Sequence, residues 1–427
     1  MNRKVLIVVE NLPVPFDRRV WKEACSLREN GYDVTVLCPR CKDYDRRHEV
    51  IERIHIYRHP MPEEGNSHIG YFWEYSCALF WEFWYSWWIF LRRGFHVIQG
   101  CNPPDLIFLV ALPFKLLGVR YIFDHHDASP ELYCSKYGGR GLLYKAQVWF
   151  EKLTYRFSDV VMATNSSYRN LAITRGEVDP EDAFVVRNGP DLRTFKSVPP
   201  NPALKYGKPY LVGYVGTMSV QEGLEILLDA ALHIKNLGRR DIHFTCIGGG
   251  PGLARLQKMA QAKNLERVVN FTGRIPDDEM VEILSTADVC VNPDKPCEMN
   301  NISTMIKIME YMALAKPIVQ FDLKEGRFTA MDASLYADNQ NCVADFATKI
   351  LWLLENPDER RRMGEFGRKR VEEALDWQHS VKNLLAAYQR ALTKGTSTLA
   401  HAYTPAGVSR RTTGDTKSES VFTGKSL

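Results

Sequence analysis

The chain has 427 residues, of which 45% are hydrophobic and 25% are charged, with a formal net charge of +4. A chain of this length is too long to fold around one ordinary hydrophobic core. It predicts a globular protein with two domains plus smaller segments. The small net charge gives no indication of a nucleic-acid partner. Ten scattered cysteines without a C-x-x-C pair fit a reducing cytoplasm better than a disulfide framework or a zinc site.

The first 39 residues predict a strand–helix–strand unit. An apolar strand at Lys4–Glu10 precedes a helix that Asp17 can cap, and a second strand follows at Tyr32–Pro39. Ligands of such a unit approach the loop after its first strand. Arg18 and Arg19 open the helix, where the helix dipole disfavours cations. They are either anion-binding residues or two solvated arginines.

The segment Ile69–Leu91 has an unusually aromatic composition, and Arg92 and Arg93 follow it. Its length would span a bilayer, but carboxylates at the centre of a span cost about 2.5–3.5 kcal/mol each. Small or polar side chains recur at every fourth position: Glu74, Ala78, Glu82 and Ser86. This pattern favours an amphipathic helix, with peripheral membrane contact through residues 69–93. A buried helix and a membrane span are the alternatives.

A cluster of polar residues follows the predicted strand Val119–Phe123. Asp124, His125, His126 and Asp127 stand at its carboxyl end, where an open α/β sheet binds its ligands. Consecutive residues cannot all converge on one ion, so a metal site is the weaker interpretation. A histidine satisfied by local carbonyl groups is the structural alternative.

Strands and helices alternate again after the proline-rich segment 198–202. A strand at Tyr210–Gly216 begins this second domain, and the glycine turn Gly248–Gly252 follows the next strand. Such a turn can admit a phosphate or sugar contact to the backbone, although many strand–helix turns use glycine without a ligand.

The segment Asn300–Asp322 predicts a helix that leads into a strand at Ile318. Ser303 or Thr304 can cap the helix. Its amino terminus suits a diphosphate, and a carboxylate one turn later can accept hydrogen bonds from a ribose. Lys307 and Glu310 lie three residues apart on one face, so the alternative is a surface ion pair.

The order of these motifs resembles glycosyltransferase family 4, whose members are retaining, nucleotide-sugar-dependent enzymes of GT-B architecture. The phrase IMEYMALAKPIV occupies the end of the family's E-x7-E signature, so Glu310 matches the second glutamate and Ile302 stands in place of the first. His126-Asp127 matches an H-D phrase, with His125 as the alternative histidine. STMIKIMEYM is similar to a subgroup that assembles bacterial O-antigen, capsule or exopolysaccharide.

The resemblance implies roles for individual residues. His126, with Asp127, would contact the transferred sugar, and Glu310 would hold the ribose. The expected donor-binding residues are Arg18, Arg19, Asn188, Gly216, Gly249, Arg274, Ile275, Met305, Lys307 and Glu310. No metal and no other cofactor is expected.

Two cations that family members usually present after the first strand of the second domain are replaced here by Thr217 and Glu222. A departing diphosphate still requires compensating charge. Arg18 or Arg19, Lys307 and the backbone amides around Met305 are the remaining candidates.

The predicted fold is therefore α/β of the GT-B type, with two Rossmann-like, doubly wound domains facing across a cleft. The predicted boundaries are 1–197 for an acceptor-binding domain, 203–376 for a nucleotide-sugar-binding domain, 377–393 for a helix returning to the first domain, and 394–427 for a disordered tail.

The predicted activity transfers a sugar from a nucleotide-sugar to a lipid-linked or other saccharide acceptor, in surface polysaccharide biosynthesis. The expected location is the cytoplasm, with peripheral contact at the inner face of the cytoplasmic membrane. The alternatives are a GT-B nucleotide-sugar 2-epimerase, which would need no lipid acceptor, and a non-catalytic nucleotide-binding partner.

Overall fold

The computed structural model describes residues 3–41, 43–61, 68–339 and 342–402. Its first sheet has eight strands, β1 Lys4–Val9, β2 Asp33–Pro39, β3 His48–Ile51, β4 Ile54–His59, β5 Val97–Cys101, β6 Arg120–His125, β7 Val160–Ala163 and β8 Ala183–Val185. Their order is β3-β4-β2-β1-β5-β6-β7-β8, and every pair is parallel except the β3–β4 hairpin.

Six helices accompany this sheet, namely α1 Arg18–Glu29, α2 His68–Arg93, α3 Phe108–Leu116, α4 Ser129–Tyr137, α5 Leu142–Phe157 and α6 Ser166–Thr174. The central strands are mostly apolar and are buried along most of their length; β1, for example, is buried from Val5 to Val9. Continuous apolar runs are typical of parallel strands because helices cover both faces of the sheet.

The second sheet has six parallel strands, β9 Tyr210–Val215, β10 Ile242–Ile247, β11 Val269–Gly273, β12 Val289–Asn292, β13 Ile318–Phe321 and β14 Ser334–Ala337, in the order β11-β10-β9-β12-β13-β14. The remaining helices are α7 Leu224–Asn236, α8 Leu253–Ala262, α9 Asp277–Thr286, α10 Glu298–Ile302, α11 Ile306–Ala313, α12 Lys324–Ala330, α13 Cys342–Glu355, α14 Pro357–Arg370 and α15 Trp377–Ala402. The prediction of two doubly wound α/β domains is confirmed by this topology.

The last helix leaves the second domain and packs on the first. α15 contacts β6, β7 and β8, and its Trp377, Leu384 and Tyr388 are buried in the hydrophobic core around β1 and β2. The predicted end of this helix at residue 393 is wrong, because α15 continues to Ala402. The rest of the predicted tail, residues 403–427, lies outside the described residues.

Two other local predictions need correction. The predicted cap at Ser303 or Thr304 is wrong, because the cap of α11 is Met305, whose side chain makes no capping hydrogen bond, and a separate helix, α10, precedes it. The β3–β4 hairpin, α4, α12 and β14 were not predicted, because these elements are short and lack a sustained apolar period.

The aromatic helix α2 buries most of its small and polar stripe and exposes several of its large side chains. Ala78, Glu82 and Ser86 are buried, whereas Trp73, Phe80, Trp84, Trp88 and Leu91 are exposed. Within the described ranges, no helix has the length and apolar character needed to cross a bilayer.

Candidate active site

The candidate site lies where the carboxyl ends of the two parallel sheets meet. The loop after β1 and the start of α1 face the second domain: the Arg274 guanidinium lies 3.9 Å from the centre of the Phe16 ring, and Arg18 pairs with Asp277 and Glu310. On another part of this boundary, Asn165 donates a hydrogen bond to the carbonyl of Ile302. The two domains thus contact each other through polar side chains from both sheets' carboxyl-end loops.

His126 is held at the end of β6 by a buried carboxylate. Its Nε2 lies 2.6 Å from Oδ2 of Asp124, and its side chain is 12% exposed. Burial alone would lower the pKa of His126, but the charge of Asp124 and the hydrogen bond to it outweigh this effect and raise the pKa. The Asp124 carboxylate therefore favours the charged form of His126.

His125 and Asp127, the neighbours of His126 in the sequence, have different surroundings from it. His125 is fully buried, where Tyr168 stacks on its ring and the Tyr155 hydroxyl lies 3.1 Å from Nδ1. Burial lowers the pKa of His125 to about 3, so it is neutral. Burial raises the pKa of Asp127, which stays beside His126. The alternative that His125 contacts the sugar is therefore wrong.

Arg19 does not provide a free cation for a diphosphate. Its guanidinium donates to both oxygens of Asp124, at 2.6 and 3.2 Å, and to the carbonyl of Val186, and it pairs with Glu23 at 3.1 Å. The side chain is only 5% exposed. The structure thus contradicts both predicted roles for Arg19, the anion ligand and the solvated residue, since its donors are already used inside the first domain.

Arg18 and Lys22 lie one helical turn apart and approach Glu310 from the first domain. Arg18 is half exposed, and its Nη1 lies 3.4 Å from Oε1 of Glu310. Lys22 donates to the carbonyl of Gly189 at 2.6 Å, and its charge and that of Glu310 shift each other's pKa. Burial lowers the pKa of Lys22 to about 8, so it remains mostly protonated at pH 7. Lys22 was not predicted as a donor-binding residue, although its i, i+4 spacing from Arg18 is visible in the sequence.

Lys307 is buried between two carboxylates of the second domain. Its Nζ pairs with Glu222 and lies 3.0 Å from Asp294. Burial raises the pKa of Asp294 to about 7, aided by the charge of Glu222, while Lys307 opposes the shift. Burial alone would raise the pKa of Glu222, but the charge of Lys307 and the hydrogen bond to it outweigh burial and lower this pKa. The predicted role of Lys307 as a free diphosphate ligand is therefore wrong in this structure.

Glu310 stands apart from Lys307 on the next turn of α11. Its side chain is 12% exposed, and burial raises its pKa against the opposing charges of Arg18 and Lys22. The uncapped amino terminus of α11 at Met305 lies one turn before it. Ile302, at the position of the first signature glutamate, packs instead on the apolar cluster of Ala128, Ala163 and Tyr168.

The predicted glycines have different environments. A Cβ at Gly216 would lie 2.6 Å from the Tyr214 hydroxyl, and its φ of 157° is a backbone conformation that residues with a side chain rarely adopt. Met218 N–H donates to the carbonyl of Gly249, so the two glycine-containing loops pack backbone to backbone. A Cβ at Gly249 would meet nothing within 4 Å, which leaves this backbone open to a ligand.

The remaining predicted donor residues lie at the domain boundary. Arg274 is exposed and covers the Phe16 ring, whereas Ile275 is half-buried against the second core. Asn188 lies next to the Gly189 carbonyl that accepts from Lys22, and its Oδ1 is buried without a protein partner. Thr217 follows Gly216 in the loop after β9.

One set of residues has donor atoms close enough for a metal. Cys101, Asp124 and His126 place such atoms within 4.8 Å of one another. However, both Asp124 oxygens already accept from Arg19, whose positive charge takes the place that a cation would need. Among the described residues we therefore assign no metal ligand.

Comparisons with known proteins cover both domains. Residues 17–189 match the family model described as "Glycosyl transferase 4-like domain", and residues 209–356 match "Glycosyl transferases group 1". Alpha-maltose-1-phosphate synthase of Mycolicibacterium smegmatis is 27% identical over 297 residues, which cover 64% of this chain and 74% of that protein.

Two solved structures show the same fold at low identity. Sucrose-phosphate synthase from Thermosynechococcus elongatus has a TM-score of 0.75 at 17% identity, covering 92% of this chain and 100% of that one. Anabaena Alr3699/HepE, solved in complex with UDP-glucose, has a TM-score of 0.67 at 13% identity, covering 90% of this chain and 99% of that one.

Proposed function

Because the chain is a glycosyltransferase with the GT-B fold, we propose that it transfers a sugar, with retention, from a nucleotide-sugar to a lipid-linked saccharide in surface polysaccharide biosynthesis. The observation that carries the donor assignment is the convergence of Arg18, Lys22 and Glu310 beside the uncapped start of α11. Retention rests on the resemblance of the Glu310 segment to the family signature. The binding of UDP-glucose by the Anabaena protein supports a uridine nucleotide as the first donor to test.

In this proposal Glu310 accepts hydrogen bonds from the ribose, and the diphosphate lies at the amino terminus of α11. Free backbone N–H groups and the helix dipole favour an anion there. Arg18 exchanges its ion pairs with Asp277 and Glu310 for the diphosphate, and Lys22 adds a second positive charge from the same helix face. These residues replace the cations that Thr217 and Glu222 do not supply, and no metal is required.

His126 contacts the sugar in this arrangement. Because Asp124 accepts the proton of Nε2, the other ring nitrogen, Nδ1, is left to accept or donate a hydrogen bond according to the charge of the ring. Gly249 offers open backbone, and Asn188 offers an unpartnered amide oxygen, to the remaining donor groups. Arg274 and Ile275 lie beside the nucleotide base of the donor.

The lipid-linked acceptor is supported by exposed apolar side chains on three neighbouring helices, since α2 packs on α3 and α3 on α5. We call this the apolar face; it consists of Trp73, Phe80, Trp84, Trp88, Leu91, Leu109, Leu116, Leu117, Leu142, Leu143 and Trp149. Exposed Arg92, Lys145 and Lys152 add positive charge, which suits anionic lipid headgroups.

Calorimetric binding of UDP, GDP and ADP, with and without EDTA, tests the donor site. We expect one nucleotide to bind independently of metal, and Glu310→Gln to weaken that binding at least tenfold, because charge-assisted hydrogen bonds contribute about 1.5–3 kcal/mol each. Glu279→Gln on the exposed start of α9 is the matched control and should bind like wild type. Absence of binding by all three nucleotides would favour the non-catalytic partner, and conversion of a nucleotide-sugar without acceptor would favour the epimerase.

Vesicle co-sedimentation tests the apolar face. Vesicles with anionic lipid should retain the wild-type protein, and Trp84→Ser combined with Trp149→Ser should reduce the bound fraction several-fold. Trp352→Ser removes an exposed tryptophan of the second domain and serves as the control. Equal binding by all three proteins would contradict the assignment of this face.

A further inference from the structure

A chain of buried hydrogen bonds connects the last helix of the molecule to His126. The Tyr388 hydroxyl of α15 donates to Oε1 of Gln99 on β5. Nε2 of Gln99 donates to Oδ2 of Asp124 at 3.1 Å and to Oε2 of Glu23 at 2.7 Å. The same Asp124 oxygen accepts from His126. Tyr388, Gln99 and Asp124 are all fully buried.

The direction of each bond in this chain is fixed by chemistry. The Asp124 carboxylate, whose pKa stays below its usual value, can only accept from the Gln99 amide. The NH2 group of Gln99 must therefore face Asp124, and its oxygen must face Tyr388. The Tyr388 hydroxyl therefore has to donate. A flipped amide would place its oxygen against Asp124 and Glu23, which the low dielectric of the interior penalises. The phenol of α15 thus stabilises one orientation of the amide.

We propose that Tyr388 and Gln99 are positioning residues for His126, so that α15 forms part of the apparatus that orients the sugar-contacting histidine. Gln99 and Arg19 share Oδ2 of Asp124 with His126, and together they fix the carboxylate to which the imidazole binds. This inference rests on the proposed contact between His126 and the sugar. It adds a role for a helix that neither matched family segment includes.

Two variants of the full-length chain test the proposal. Gln99→Leu removes the amide, and Tyr388→Phe removes one oxygen atom from the same chain of bonds. Tyr32→Phe is the matched control, since the Tyr32 ring packs edge-on against Tyr388 at 5.7 Å between centroids and takes no part in the chain. Thermal unfolding verifies that each variant is folded.

The first readout is an NMR titration of histidine-labelled protein without substrate, with His126→Asn to assign the signal. The pKa of His126 should rise in Gln99→Leu, because Oδ2 of Asp124 loses a donor that competes with the imidazole. Tyr388→Phe should give a smaller rise, since an amide without its hydroxyl partner is a weaker donor. The charged groups facing His126 from the surrounding elements are Asp17, Arg19, Glu23, Asp124 and Asp127.

The second readout separates kcat from KM. We expect kcat to fall about tenfold in Gln99→Leu, the rate equivalent of one ordinary hydrogen bond, with KM for the donor within about twofold of wild type. The kcat of Tyr388→Phe should fall about threefold, and the kcat of Tyr32→Phe should match that of wild type.

An unchanged His126 pKa in both folded variants would overturn the hydrogen-bond chain, and a shifted pKa with unchanged kcat would overturn the positioning role. Failure of the proposed function is distinguishable from both outcomes. In that case wild type turns over no nucleotide-sugar, whereas the substrate-free titration still decides whether α15 acts on His126.

Discussion

In each domain a buried cation lies between two carboxylates, and the two arrangements behave differently. In the first domain, which we call the arginine cluster, Arg19 lies between Asp124 and Glu23; in the second, the lysine cluster, Lys307 lies between Asp294 and Glu222. Both cations were predicted to bind the donor diphosphate. In the structure, each cation is instead paired with the carboxylates of its own domain.

The difference lies in the geometry of the cation. The guanidinium of Arg19 donates to both Asp124 oxygens at once, so the pKa of Asp124 stays well below its usual value despite burial. The Lys307 ammonium is a point charge and leaves Oδ2 of Asp294 without a hydrogen-bond partner. The pKa of Asp294 accordingly rises to about 7. Burial also raises the pKa of Glu23 in the arginine cluster to about 7, so both clusters contain a carboxyl that can exchange a proton near neutral pH. The arginine cluster differs in that Asp124 stays charged beside His126.

Replacing the arginine should give the largest effect. In Arg19→Ala, Asp124 remains buried without its bidentate partner, so we expect the free energy of unfolding of the first domain to fall by about 3–5 kcal/mol. Urea denaturation is the measurement, and a loss below about 1 kcal/mol would contradict this account.

In Lys307→Met the free energy of unfolding should fall by less, about 2–4 kcal/mol at pH 7, because Asp294 and Glu222 can bind protons in place of the ammonium. The loss should shrink towards pH 5, since protonating a carboxyl becomes easier by about 1.4 kcal/mol per pH unit. Urea denaturation at both pH values measures this change. A loss that is equal at pH 5 and pH 7 would show that the carboxylates do not take up protons.

The raised pKa of Asp294 also predicts a pH dependence with a definite sign. Between its ordinary value of 3.8 and about 7 the folded protein keeps a proton that the unfolded chain has lost, so this residue's contribution to stability decreases as pH rises. Asp294→Asn should therefore become more stable relative to wild type from pH 5 to pH 7, by at most about 1.4 kcal/mol per pH unit. Asp278→Asn, on the exposed start of α9, is the control and should show a constant difference from wild type.

The smallest effect on stability is expected for the replacement of Arg18, which precedes Arg19 in α1. Arg18 is 52% exposed and pairs across the domain boundary, so Arg18→Ala should change the free energy of unfolding by less than about 1 kcal/mol. In the proposed donor site this substitution also removes a diphosphate contact, so nucleotide binding should weaken about tenfold. Equal nucleotide affinity in wild type and Arg18→Ala would remove Arg18 from the donor site, with Arg255→Ala on α8 as the exposed-arginine control.

The architecture was predictable because it follows from local patterns. Continuous apolar strands alternate with amphipathic helices through both domains, and this alternation determines a doubly wound sheet. The Asp17 cap of α1 is confirmed for the same reason, since a cap depends only on residues a few positions away.

The sequence by itself thus determined the two domains, the strand end that presents His126, and the turn of α11 that carries Glu310. Only the tertiary structure decided which cations remain available, because a charge is used or free according to partners distant in sequence. Asp124 neutralises Arg19 from 105 residues away, Glu222 neutralises Lys307 from 85 residues away, and Tyr388 reaches Gln99 across 289 residues. No sequence periodicity indicates such pairings, so the sequence could not show that Arg19 and Lys307 are engaged inside their own domains whereas Arg18 stays half exposed.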